Sequence, residues 1–125
     1  MNIKILFWVQ GTLLIVLGLW GLIDGEGAIA GFGWEATSEV LTLNRAFSLS
    51  QLVLGIIAVR IPSWVEAKLK EPALVGAAIN IIFLINIVSD LNADAISGAG
   101  VTINLVLTIV FAILFLVFGV RYKNT

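Results

Sequence analysis

The chain of 125 residues contains no cysteine, no histidine and only two prolines. Without cysteine there is no disulfide, no thiolate metal site and no thiol nucleophile. Without histidine the commonest general base near neutral pH is missing, and so is the commonest haem and zinc ligand. Charge is scarce as well. Only 12% of the residues are charged, against about 25% in ordinary soluble domains. A net charge of −1 offers no basic surface to a nucleic acid. No cofactor or metal is expected.

What remains is apolar. Sixty per cent of the residues are hydrophobic, more than a small soluble domain can hide, because such domains still expose much of what they carry. A bilayer accepts that surface. Four apolar segments follow one another: Ile5–Ile23, Ala46–Ile61, Ala73–Ser89 and Val101–Val120. A spanning helix needs about 20 residues. Thr37 or Ser38 can cap a helix that begins ahead of the second segment, with Glu39 in its first turn favoured by the helix dipole. Pro72 suits a first turn, and Ser97-Gly98-Ala99-Gly100 reads as a turn before the last segment. The expectation is an all-α integral membrane four-helix bundle, one domain, with helices at about 3–23, 38–61, 72–91 and 100–121. The first segment followed by Ala28-Ile29-Ala30 resembles a secretory signal. Its apolar stretch exceeds the roughly 7–15 residues of a signal core, so it reads as a retained anchor.

The charges predict an orientation. Lys4, Arg60, Lys68, Lys70, Arg121 and Lys123 fall at the termini or between the second and third spans. Four spans put all those regions on one side, and the positive-inside rule makes that side cytoplasmic. Asp24, Glu26, Glu35, Glu39, Asp90 and Asp94 lie opposite, with Arg45 the single base among them. Both termini are therefore expected in the cytoplasm of a multi-pass plasma-membrane protein. The same bias argues against insertion in both orientations.

Polar and small residues recur at helical spacing. Asn44, Ser48, Gln51, Gly55 and Ala58 make one stripe, and Gly11, Gly18, Gly21 and Gly25 another. Gly76 with Asn80, Asn86 with Asp90, and Gly100 with Asn104 and Thr108 share faces of the later helices. Lipid gives helices no hydrophobic reason to associate, so small residues and cross-helix hydrogen bonds supply the drive. These stripes read first as packing seams, with a solute path or a lipophilic pocket as the alternative. Arg45 lies 15 positions before Arg60, roughly 22 Å along a helix, and so falls inside a hydrocarbon core about 30 Å thick. A lone charge deep in a span costs about 2.5–3.5 kcal/mol on insertion scales. Asp90 sits at similar calculated depth on the next helix. An Arg45–Asp90 pair is expected, with Asn44 and Asn86 as satellites. Trp8, Trp20 and Trp64 near helix ends, and Trp34 in the glycine-rich outer loop, read as interface anchors.

The glycine-spaced "GLWGLIDGEGAIAGFG", the arginine opening "NRAFSLSQLVLG" and the acidic close of "INIVSD" resemble the small four-helix membrane proteins of the DoxX-like type, which include several families of unknown function. The resemblance covers most of the chain and implies the same four-span layout. Those families tend to carry glycines shortly after that arginine, where this chain has Ser48 and Ser50. The resemblance implies little about activity, since fold does not give function.

The leading functional expectation is a non-catalytic protein, an accessory or structural subunit of a membrane complex or a self-associating bundle. Its partners would be the lipid bilayer and other subunits or copies of itself. A small-solute or ion transporter or channel acting as an oligomer is the alternative, together with a protein that binds a lipid or quinone. The charge bias, and the lack of an acidic residue in the first span, count against a small multidrug exporter. An enzyme acting on such ligands would have only Asp90 and Asp94 beside Arg45 as acid–base groups, with no nucleophile in view.

Overall fold

Asn2 opens the first helix by accepting a hydrogen bond from the Lys4 N–H through its side chain, 3.0 Å away. The computed structural model describes residues 2–124 and holds five helices. They are α1 (Ile3–Ile23), α2 (Gly25–Ala30), α3 (Ser38–Val65), α4 (Lys70–Asn92) and α5 (Ala99–Arg121). Four of them, all but α2, are long and apolar enough to cross a membrane, as a multi-pass membrane protein requires. Their outward faces carry large exposed hydrophobic side chains along the whole length, among them Leu43, Ile56, Ile82, Ile85 and Ile103. Soluble monomers do not expose apolar surface continuously on this scale.

Three boundaries differ from the sequence-based expectation. Asp24 ends α1, its N–H donating to the Trp20 carbonyl, and in the same place starts α2, its carboxylate accepting from the Gly27 N–H at 3.1 Å. One residue thus serves as C-cap and N-cap. The run Gly25-Glu26-Gly27-Ala28-Ile29-Ala30 is helical rather than an open loop, with Gly31 as its C-cap, and Ala28 and Ile29 are buried. Gly25 therefore belongs to α2 rather than α1, yet it still faces α3, where a Cβ would stand 3.3 Å from Asn44 Nδ2 and 3.4 Å from Leu41 Cδ2. The second span continues through Pro62 to Val65 instead of stopping at Ile61. A proline interior to a soluble helix costs about 3 kcal/mol, but spanning helices tolerate it because neighbouring groups satisfy the freed backbone. Here Pro62 is buried. The third span starts at Lys70, which places Pro72 inside the first turn rather than at its head.

The long helices pack unequally. α3 lies along α1, and α4 lies along α5, with a thinner contact between α1 and α5. The α1–α3 seam is antiparallel and built on glycine. Gly11 faces Gly55 and Val59, Gly18 faces Ser48 and Leu52, and Gly21 abuts the Ser48 hydroxyl. A Cβ at Gly55 would stand 2.7 Å from the Gly11 carbonyl oxygen, so only hydrogen on both sides permits this approach. In α3 the fully buried residues are Ser48, Gly55 and Pro62, seven apart each time, which is the period of two helices in sustained contact.

At one end of the molecule Ile3, Leu6 and Phe7 of α1 meet Leu69 and the α4 residues Ala73 and Ala77, together with Phe111 and Phe115 of α5. Phe7 and Phe115 pack edge to face at 5.0 Å between ring centres, a favoured aromatic geometry. Ile61 and Val65 of α3 and Tyr122 border this cluster. The Tyr122 hydroxyl donates to the Ala67 carbonyl at 2.6 Å. At the other end the chain after α2 meets the chain before α5. The Ser97 N–H donates to the Phe32 carbonyl and the Gly100 N–H to the Gly31 carbonyl, both at 3.1 Å. The Trp34 indole N–H donates to the Ala95 carbonyl at 2.7 Å.

These links also cap helices that have no cap of their own. Neither Leu69 before α4 nor Gly98 before α5 makes a side-chain cap. The Lys70 N–H of α4 instead donates to the Asn124 side chain at 3.1 Å. Gly100 in the first turn of α5 is satisfied by Gly31. Unpaired N–H groups at a helix start must find some acceptor, and in both cases a distant part of the chain supplies it.

Candidate functional site

Polar groups inside a spanning bundle are the place to look for function, because each must be satisfied within the protein. The most central link joins Gln10 of α1 to Asn80 of α4. The Gln10 amide donates to Asn80 Oδ1 at 2.9 Å, and the Asn80 amide donates back to the Gly76 carbonyl at 2.8 Å. Asn80 is buried. Gln10 was not among the residues singled out from the sequence. It stands seven residues after Ile3 and three after Phe7, on the buried side of α1. That spacing is the signal that could have found it. It is faint, because nearly every other residue of the segment is apolar whichever way it points.

Asn44 serves α1. Its amide donates to the Gly21 carbonyl at 3.1 Å, one of the last carbonyls of that helix, which have no partner within it. Ser48 is buried against Gly21, and Gln51 is half-buried on the same helix. In α5 the buried Thr108 hydroxyl donates to the Asn104 carbonyl at 2.7 Å.

The expected Arg45–Asp90 pair does not form. Although similar depth on successive helices predicts the pair, α3 packs on α1 and α4 on α5, and α3 and α4 share no extended contact. Among the described residues no carboxylate comes within the 4.0 Å ion-pair distance of Arg45. Arg45 is exposed on α3. Asp90 is half-buried on α4, and its carboxylate accepts from the exposed Asn86 at 3.4 Å, one turn earlier on the same helix. Asn44 and Asn86 are therefore not satellites of one clasp; they serve different helices.

Of the four tryptophans, Trp8 and Trp64 lie toward the end that carries Lys68 and Lys70, and Trp20 and Trp34 toward the other. All are about half exposed, which suits rings at the two interfaces. Trp34 also ties the loops at its end of the molecule together through its indole N–H, which donates to the Ala95 carbonyl. Shallow open grooves lie beside Lys70, Glu71 and Asn124 and beside Ser38, Glu39 and Thr42. No three or more histidine, cysteine, aspartate or glutamate side chains converge among the described residues.

The Gln10–Asn80 link yields a testable coupling. Membrane hydrogen bonds average about 0.6 kcal/mol, with a maximum near 1.7. A double-mutant cycle of Gln10→Leu and Asn80→Leu, read by denaturant titration in mixed micelles, should give a coupling of about 1 kcal/mol. Strict additivity would show that the two amides contribute independently.

Comparison with protein-family models, with curated proteins and with solved structures finds no match to this chain.

Proposed function

We propose that this chain is a non-catalytic integral membrane protein that works by assembly, either as an accessory or structural subunit of a membrane complex or by associating with its own copies. One observation carries the reading. Asn44 and Gln10 bond across helices, Asn80 and Thr108 bond back to their own helices, and among the described residues no buried side-chain nitrogen or oxygen lacks a partner. Stripes that could have lined a path are engaged as seams: Asn44 and Ser48 against Gly21, and Asn80 with Gln10. The likeness to DoxX-like proteins accords with a small bundle of this kind.

The orientation we propose has both termini in the cytoplasm of the plasma membrane. In support, the aromatic cluster gathers the start of α1, the α3–α4 connection and the end of α5 at one end. Lys4, Lys68, Lys70 and Arg121 belong to those segments, and clustered bases favour the cytoplasmic side. A second reading, transport by an oligomer, draws on the Asn86–Asp90 pair that α4 turns partly outward.

Reconstitution in liposomes tests these readings together. The protein should pass no ions, and cysteines placed at Glu35 and at Lys68 should react with an impermeant reagent from opposite sides, Lys68→Cys from the cytoplasmic one. A reproducible conductance altered by Gln51→Leu or Asn104→Leu would replace assembly by transport. Labelling of both cysteines from one side would overturn the four-span orientation.

A further inference from the structure

We infer that a second copy of this chain docks α3 of one molecule against α4 of the next, with Arg45 of one copy paired to Asp90 of the other. This rests on the assembly reading above and names its partner. The argument begins with what a single copy leaves unsettled. Arg45 is the one base at the acidic end of the molecule and is exposed. It lies about 10 Å along α3 from Ser38, far enough in that an extended guanidinium must reach outward to leave hydrocarbon. On α4, Asn86 lies about 9 Å and Asp90 about 3 Å short of Asn92 by the same rise. Measured from those ends, Arg45 stands level with Asn86, and its side chain, reaching outward, spans the remaining distance of about 7 Å toward Asp90.

Within one copy they cannot meet, because α3 is committed to α1 and α4 to α5. Both helices keep wide outward faces. Phe47, Leu49, Val53 and Ile56 are exposed on α3, and Ile79, Ile82, Phe83 and Ile85 on α4. Apolar faces alone need no cover in lipid. An exposed asparagine and opposite charges do, since polar groups drive association of spanning helices where hydrophobic contact does not. Near that level the chain presents one cation on α3 and one anion on α4. That complementarity fits its own copy, and it fits head to tail, so each contact uses two different surfaces. Asp90 keeps a free carboxylate oxygen for the guanidinium, since Asn86 engages only one.

The experiment uses the full chain in mild detergent and in lipid vesicles. Arg45→Asp and Asp90→Arg should each raise the dissociation constant of self-association about tenfold or more, a change of about 1.4 kcal/mol. The doubly reversed variant should regain self-association, and so should a mixture of the two single variants. Circular dichroism shows whether each variant keeps its helix content, and regain by the double reversal excludes simple misfolding. Because the chain has no cysteine, Arg45→Cys and Asp90→Cys give a clean second readout. Under mild oxidation their mixture should form a disulfide-linked pair, and neither variant alone should. A monomer at all concentrations, or association untouched by charge reversal, overturns the inference. A monomer that co-purifies with a different polypeptide leaves the assembly reading standing while this inference falls. A charge-dependent oligomer that conducts ions does the reverse.

Discussion

Gly55→Leu is expected to destabilise the bundle by about 3 kcal/mol or more, at or above the usual ceiling for overpacking. The size follows from what surrounds the position. A Cβ there would meet the Gly11 carbonyl oxygen at 2.7 Å, and the Ile15 backbone nitrogen and Cγ1 at 2.8 Å. Two of these three atoms are backbone, so no rotamer change can make room; α1 and α3 must separate. Separation weakens the neighbouring contacts of Gly18 with Ser48 and Leu52 at the same time. In lipid those lost dispersion contacts are not replaced by any hydrophobic gain. Gly76→Ala is the control. Its Cβ would stand 3.4–3.6 Å from the Phe115 ring, ordinary contact, and alanine is the better helix former by about 0.8–1 kcal/mol. Titration with a denaturing detergent, followed by helix content, should therefore show a large loss for Gly55→Leu and none for Gly76→Ala. Equal behaviour of the two would mean that α1 and α3 do not meet at these glycines.

The contrast shows how much was legible beforehand. The four spans could be read because length and apolarity alone decide whether a helix crosses a bilayer. The seam residues could be named because glycine and serine at helical spacing stand out in an apolar run. Which helix each seam would face could not be read. A soluble helix advertises its buried side by leaving polar residues on the other, but a lipid-facing side is as apolar as a packed one. Gln10 was missed for that reason. The Arg45–Asp90 pair was misplaced because chain proximity stood in for packing, and the four-residue link from Glu66 to Leu69 joins two helices that bind elsewhere. α2 is not legible in the sequence because two glycines in its six residues, and a third just after it, argue against a helix by propensity. Its position is set by tertiary contacts, including the docking of Gly31 onto the start of α5.

That docking leads to the second large effect, expected for Gly100→Val. The two halves of the molecule, α1 with α3 and α4 with α5, are joined by the aromatic cluster at one end, by Gln10 and Asn80 between, and by the loop clasp at the other end. A Cβ at Gly100 would meet the Gly31 carbonyl oxygen at 2.7 Å, its carbon at 3.0 Å and its α-carbon at 3.2 Å. All three atoms belong to backbone, so the clasp must open. Opening it breaks the Gly100–Gly31 and Ser97–Phe32 hydrogen bonds together and strands the first turn of α5, which has no side-chain cap. Each lost bond contributes about 0.5–1.5 kcal/mol, and the branched side chain adds a steric cost of about 1–3 kcal/mol, so a total of about 3 kcal/mol is expected. Trp34→Phe keeps an aromatic ring but loses the pyrrole half of the indole with the N–H that reaches Ala95, and should cost about 1 kcal/mol or somewhat more. The damage should be local. Phe7, Leu69, Ala73 and Phe115 form their cluster at the far end of the bundle and do not depend on the clasp for contact. Amide hydrogen exchange in micelles separates local from global loss. In Gly100→Val, residues 31–34 and 97–102 should exchange at least about tenfold faster, while residues 5–11 of α1 stay protected. Uniform acceleration along the chain would show that the clasp holds the whole bundle together. No acceleration at all would mean that α5 begins without help from Gly31.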